Sequence, residues 1–169
     1  MQRFSIRVGA RALIIEDEAV LLVEFHDETG LHYNLPGGGV NPDESVIEAL
    51  RREVKEEVAA EIEVGPLIYV IEYEPHRNAY WAGSIHKLSL IFECRLSGDA
   101  RPRMPEAPDL NQTAVKWIPL AILESVELLP HLADRIRKYA NSRTVDAIFL
   151  EEPIAPEKAQ RYTAAINDQ

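Results

Sequence analysis

Only one cysteine, Cys94, occurs in the 169-residue chain, so an internal disulfide is excluded and a reducing compartment is the natural expectation. It falls inside the apolar run LSLIFECRL, where a packed strand thiol is expected rather than a nucleophile. Long hydrophobic runs are missing as well. No stretch approaches the roughly 20 apolar residues of a membrane span, and MQRFSIRVGARALII carries arginines without a clean apolar core and small-residue cleavage site. The expectation is a soluble, cytoplasmic protein with no membrane partner. Basic residues are scarce: 18 Lys and Arg face 28 Asp and Glu, for a formal charge of -10. Such a field repels polyanions and argues against a nucleic-acid polymer as partner. A phosphorylated small molecule would need a local cation to bridge it to the protein, which directs attention to carboxylates that could hold a metal.

What is present suffices for a core. At 46% hydrophobic and 27% charged the composition is globular. We read one domain over residues 1–140 and a C-terminal extension, residues 141–169, packed on it. ARALII and AVLLVEF flank a short acidic turn at Glu16 to Glu18, which predicts a hairpin over about residues 7 to 26. LHYNLP reads as a short strand running into Gly37, Gly38 and Gly39, where missing side chains permit positive φ and close approach of a ligand. EIEV, LIYVIEYE, KLSLIFECRL and AVKWIPL read as further strands, and PLAILESVELLPHLADRIRKYA as helix broken near Pro130. A strand at Asp146 to Leu150 and a short helix after Pro156 complete the reading. The prolines at 102, 105 and 108 mark an extended surface connector, a stiff loop or a lid at a site.

Between the glycines and EIEV lies the densest segment, GGGVNPDESVIEALRREVKEEVAA. A helix is predicted from about Pro42 to Ala60, with Asn41 as N-cap, Pro42 first and Glu44 third, or with Asp43 as an alternative cap. On it Glu53, Glu56 and Glu57 stand at i, i+3 and i+4, so their carboxylates gather on one side, while Ile47, Leu50, Val54 and Val58 form an apolar stripe on another. Clustered exposed carboxylates repel by a few tenths of a kcal/mol per pair. A hard divalent cation relieves that repulsion better than Arg51, Arg52 and Lys55 can, since Mg²⁺ favours oxygen ligands and keeps waters for phosphate and nucleophile.

Gly38, Glu44, Arg52, Glu53, Val54, Glu56 and Glu57 match the order G-x5-E-x7-R-E-U-x-E-E-x-G-U, with U aliphatic, and the segment strongly resembles the Nudix box. The preceding LPGG is how members of that family typically enter it. Ala59 stands in place of the usual glycine and Ala60 is a small final aliphatic. The resemblance implies the Nudix fold, an α/β architecture in which a mixed β-sheet is sandwiched between helices (an α/β/α sandwich). It also implies a Mg²⁺- or Mn²⁺-dependent pyrophosphohydrolase. The substrate would be a nucleoside diphosphate derivative, either a triphosphate, oxidised or not, or an ADP-ribose-like sugar nucleotide, cleaved by attack of water on phosphorus. Pro75, 15 residues beyond Ala60, lies close to where a proline marks ADP-ribose-cleaving relatives.

Carried over by position, Glu53, Glu56 and Glu57 would ligate metal with help from the Gly37 carbonyl. Arg52 would hold the glutamates in place and Glu44 would support the loop–helix junction. Glu56 or Glu57 is a candidate general base; so is a downstream glutamate, of which Glu106 is nearest, with Asp109 behind it. Gly38, Gly39, His32, Tyr33 and Trp81 are candidate substrate contacts, with packing as the competing role for the aromatics. His76, His86 and Tyr80 are weaker candidates of the same kind. A homodimer is compatible with the family and with the surplus of apolar strands. A competing class is a nucleotide-sensing protein of the same fold without turnover; the retained glutamates favour the enzyme.

Overall fold

The computed structural model describes residues 5–75 and 85–151. Alternation in the first two strands organises it. β1 (Arg7–Glu16) and β2 (Ala19–Asp27) form a hairpin closed by Asp17 and Glu18, both at positive φ (45° and 58°), the backbone a tight two-residue reversal requires. They pair only at Ile15–Val20 and Glu16–Ala19 and then splay apart. β1 goes on to pair in parallel with β6 (Lys87–Leu96), and β2 pairs antiparallel with β3 (Gly30–Asn34) and β7 (Gln112–Pro119). The remaining strands are β4 (Gly37–Gly39) on β1, β5 (Ile62–Tyr73) on β6, β8 (Leu128–Leu129) on β3 and β9 (Phe149–Glu151) on β5.

Successive residues of β1 and β2 point to opposite faces and supply two cores. Ala10, Ala12, Ile14, Leu21 and Val23 pack with Leu50, Val54 and Val58 of helix α1 (Val46–Val58). Leu13, Val20 and Leu22 pack with Tyr69, Ile71 and, from helix α2 (Ala133–Ser142), Ile136 and Tyr139. The sheet therefore lies between the two helices, the α/β/α sandwich expected. α2 is tied down by Tyr139 Oη donating to Glu93 Oε2 (2.8 Å) and Tyr69 Oη donating to the Arg135 carbonyl (3.3 Å). No helix among the described residues is long and apolar enough to cross a membrane.

Several boundaries differ from the sequence reading, each for a local reason. α1 starts four residues later than expected. Asp43 adopts a left-handed backbone (φ 69°) that a helix cannot continue through, and Ser45 caps instead, in a reciprocal capping box with Glu48. The three glycines are not a free turn but strand β4, paired through Gly9–Gly39, Ala10–Gly38 and Arg11–Gly37. EIEV and LIYVIEYE are one bulged strand. The helix expected to begin at Pro119 is a 3₁₀ turn at Leu120–Ser125, then β8, then α2. The strand expected from Asp146 is the shorter β9, and the helix after Pro156 lies outside the described residues. At the far end of α1, Ala59 takes the left-handed C-cap (φ 51°, ψ 35°), its N–H donating to the Lys55 carbonyl at 3.1 Å. Alanine there does a glycine's work with some strain.

Candidate active site

Arg52 is the hub. Its Nε and Nη2 take both oxygens of Glu44 (3.0 and 2.7 Å), Nη1 donates to Glu53 Oε1 (2.8 Å) and Glu56 Oε2 (3.0 Å), and Nη2 also reaches the Gly39 carbonyl (3.1 Å). All five guanidinium N–H groups are used. These bonds, Glu44's first, hold the Arg52 pKa above its ordinary value, and Arg52, with the Asn41 N–H, brings Glu44 down to about 2. Glu44 also accepts from the Asn41 N–H at 2.7 Å, closing the turn ahead of α1. The sequence reading had set Asn41 and Glu44 at the helix start, which the structure moves to Ser45.

Glu53 and Glu57 border a cavity of about 350 Å³ between α1 and the start of β1. Gly38 makes room for Glu53, since a Cβ at residue 38 would fall on the Glu53 carboxylate. Gly37 is fixed more firmly: at φ 134° its missing Cβ would run into the backbone of Ala10 and Arg11. Its N–H donates to Glu57 Oε2 at 2.7 Å and its carbonyl accepts from Arg11 Nη1 at 3.0 Å, so the expected metal donor at Gly37 is already engaged by a cation. Glu56, its side chain 55% exposed, leans outward on Arg52.

Glu57 is 5% exposed. Burial pushes its pKa up to about 7, Glu53 and Asp109 push the same way, and Arg11 and the Gly37 N–H only partly oppose them. Among the described residues, Oε1 of this buried carboxylate accepts no hydrogen bond. Nor do three Asp, Glu, His or Cys side chains converge closely enough there to enclose an ion. A charge that burial disfavours, a second carboxylate beside it and an all-oxygen donor set nevertheless fit a hard divalent cation at Glu53 and Glu57.

The downstream loop enters through Gln112, a buried amide that donates to the Glu57 carbonyl (2.7 Å) and accepts from the Asp109 N–H (3.2 Å). Asp109 is thereby held on the cavity wall, whereas Glu106 is exposed and outside it. Tyr33, 7% exposed, is turned away: its hydroxyl donates to Glu24 Oε2 at 2.7 Å in a cluster with Thr113 and Lys116. His32 stacks on Phe25 (5.7 Å, 13°), and Phe25, not His32, touches the cavity. His86 Nε2 lies 2.8 Å from Glu72 Oε1. His76, Tyr80 and Trp81 lie outside the described residues.

Sequence reasoning missed the basic wall of the cavity, formed by Arg7 and Arg11 of β1 and Lys87 and Ser89 of β6. The signal was the alternation in RVGAR, which sets two arginines on one face of a strand in an acidic chain.

A NUDIX domain family model matches residues 5–141. The nucleoside triphosphatase NudI of Escherichia coli strain SMS-3-5 is 35% identical over 48% of this chain, a match that spans 63% of the relative's length. Among solved structures, the MutT NUDIX hydrolase of Burkholderia pseudomallei superposes with a TM-score of 0.62 at 27% identity, over 79% of this chain and 97% of the other. An ADP-ribose pyrophosphatase of Streptococcus suis shares the fold at 22% identity, with a TM-score of 0.58 over 87% and 99% of the two chains.

Proposed function

The chain belongs to the NUDIX family, and from that premise we propose that it is a divalent-cation-dependent pyrophosphohydrolase acting on the diphosphate linkage of a nucleoside diphosphate derivative. The observation that carries this reading is the cavity's mixed lining: Glu53, Glu57 and Asp109 share one space with Arg7, Arg11 and Lys87. The carboxylates suit a cation and the basic side chains suit phosphate oxygens.

Bound at Glu53 and Glu57, Mg²⁺ or Mn²⁺ would neutralise phosphate charge and acidify a coordinated water. The chain's own part is positioning. Arg52 keeps Glu53 and Glu56 in place and locks them to the Glu44 turn and to Gly39. Arg11, held by the Leu35 and Gly37 carbonyls (2.7 and 3.0 Å), offers a fixed positive charge beside the reacting diphosphate. Asp109 takes the proton of the attacking water on its carboxylate as the new P–O bond forms and the bridging P–O bond breaks, the leaving phosphate departing with the bridging oxygen. A nucleoside triphosphate is the leading substrate class, supported by the triphosphatase relative. An ADP-ribose-like sugar nucleotide is the alternative.

Turnover of a nucleotide panel with Mg²⁺ or Mn²⁺ tests the reading. Loss of an outer partner of a metal site typically costs roughly 10–100-fold, so Glu53→Gln and Glu57→Gln should each lower kcat at least about 100-fold. Asp109→Asn should slow turnover while Glu106→Gln leaves it near wild type. Equal rates in wild type and both glutamate variants would overturn the metal assignment, and tight nucleotide binding with no turnover by wild type would make the protein a sensor.

A further inference from the structure

The basic wall is longer than holding one diphosphate requires. Arg7, Gly9 and Arg11 share a face of β1, and the parallel register sets Lys87 beside Arg7 and Ser89 beside Gly9. At about 3.3 Å per residue, the two arginines stand roughly 13 Å apart along the strand. Arg11 is the end next to Glu53 and Glu57, since both carboxylates act on its charge. Arg7 marks the other end, and Lys87, beside Arg7 in the register, feels the charge of both arginines.

Between them the floor is kept low. A Cβ at Gly9 would sit 3.2 Å from the Gly38 carbonyl oxygen and 3.9 Å from Ser89 Oγ, and a Cβ at Gly39 would sit 3.0 Å from Arg7 Cζ, inside its guanidinium. Among the described residues Arg7 forms no ion pair, although the chain carries 28 acidic residues. Burial, then the charges of Arg11 and Arg7, hold the Lys87 ammonium below its ordinary range. Positive charges gathered on a glycine-and-serine floor favour the approach of a phosphate.

We propose that Arg7, Lys87 and Ser89 form a phosphate subsite that takes the terminal phosphate of a nucleoside di- or triphosphate, on the Arg7 side of the phosphate met by Glu53 and Glu57. The assignment rests on the hydrolase reading and narrows its substrate class. A terminal phosphate carries about 1.5 to 2 negative charges at neutral pH and three acceptor oxygens, which suits one guanidinium, one ammonium and one hydroxyl. The diphosphate of a sugar nucleotide is esterified at both ends and presents no such group.

Calorimetric titration of metal-free protein with inorganic tripolyphosphate, and steady-state turnover of a nucleoside triphosphate and of ADP-ribose, test it on wild type, Arg7→Gln, Lys87→Met and the double variant. A hydrogen bond to a charged group contributes roughly 10–100-fold, so each single variant should bind tripolyphosphate at least about tenfold more weakly. The KM for the triphosphate should rise by a similar factor with kcat nearly constant, and the KM for ADP-ribose should change much less. Arg7→Lys and Lys87→Arg, which keep the charge, should recover most of the binding, and thermal melts should match wild type. Unchanged tripolyphosphate affinity, no binding by wild type, or equal KM increases on both substrates would overturn the subsite. Binding that depends on Arg7 and Lys87 without any turnover by wild type would sink the hydrolase reading and leave the subsite standing. A working hydrolase indifferent to both substitutions would do the reverse.

Discussion

Glu57 is placed where its charge is hardest to keep. Its pKa of about 7 in the folded chain lies above the ordinary 4.5, so the protonated form is favoured by folding. The group's contribution to stability is then fully present below pH 4.5 and lost as pH rises through about 7. A shift of that size corresponds to roughly 3 kcal/mol. Denaturant unfolding of metal-free protein at pH 5 and pH 8 should show wild type losing about 2–3 kcal/mol more than Glu57→Gln over that interval. Adding Mg²⁺ at pH 8 should restore wild type and leave the variant unmoved. Arg52 invites a second comparison, because an ammonium has three donors and no planar fork. Arg52→Lys should fold normally by circular dichroism yet lose roughly 10–100-fold in kcat, as the glutamates it aligns are freed. Cys94 lies buried in β6, and burial carries its thiol up to about 12. An aromatic disulfide reagent at pH 8 should leave it untouched in native protein and modify it once urea unfolds the chain.

At the scale of elements, α1 is held by opposite devices at its two ends. Ser45 and Glu48 satisfy the first backbone donors, while Ala59 closes the helix in a left-handed conformation. That conformation costs a non-glycine residue roughly 1–2 kcal/mol, and the added chain entropy of glycine would take back about 0.5–1 kcal/mol. Ala59→Gly should therefore raise stability by up to about 1 kcal/mol, read as a higher urea midpoint at constant slope. The helix and its glutamates were legible in the sequence because i, i+3 and i+4 spacing is a local property. Its start was not, because Asp43 leaves the helical region for a turn closed by Asn41 on Glu44 and held from within the helix by Arg52.

Across the whole molecule, the same distinction separates what the sequence disclosed from what it withheld. The hairpin, the strand runs and the clustered glutamates follow from periodicity within single segments. The basic wall depends on Arg7 meeting Lys87, and Asp109 reaches the cavity only because Gln112 grips the end of α1 from another strand. Neither meeting leaves a trace in any one stretch. Pro130 was read as breaking a helix, when residues 128–129 instead add a strand to β3. The chain's overall negative charge likewise hid a positive interior wall, since a net value says nothing about which side chains share a face.

The parallel ladder from Arg7–Lys87 to Ile14–Cys94 has a kinetic consequence. It closes a long loop before any of its contacts are gained, which makes such pairing slow. During refolding from denaturant, the far-ultraviolet signal of α1 should return first. Tripolyphosphate binding and catalysis should return together in a later phase, when the two halves of the basic wall come into register.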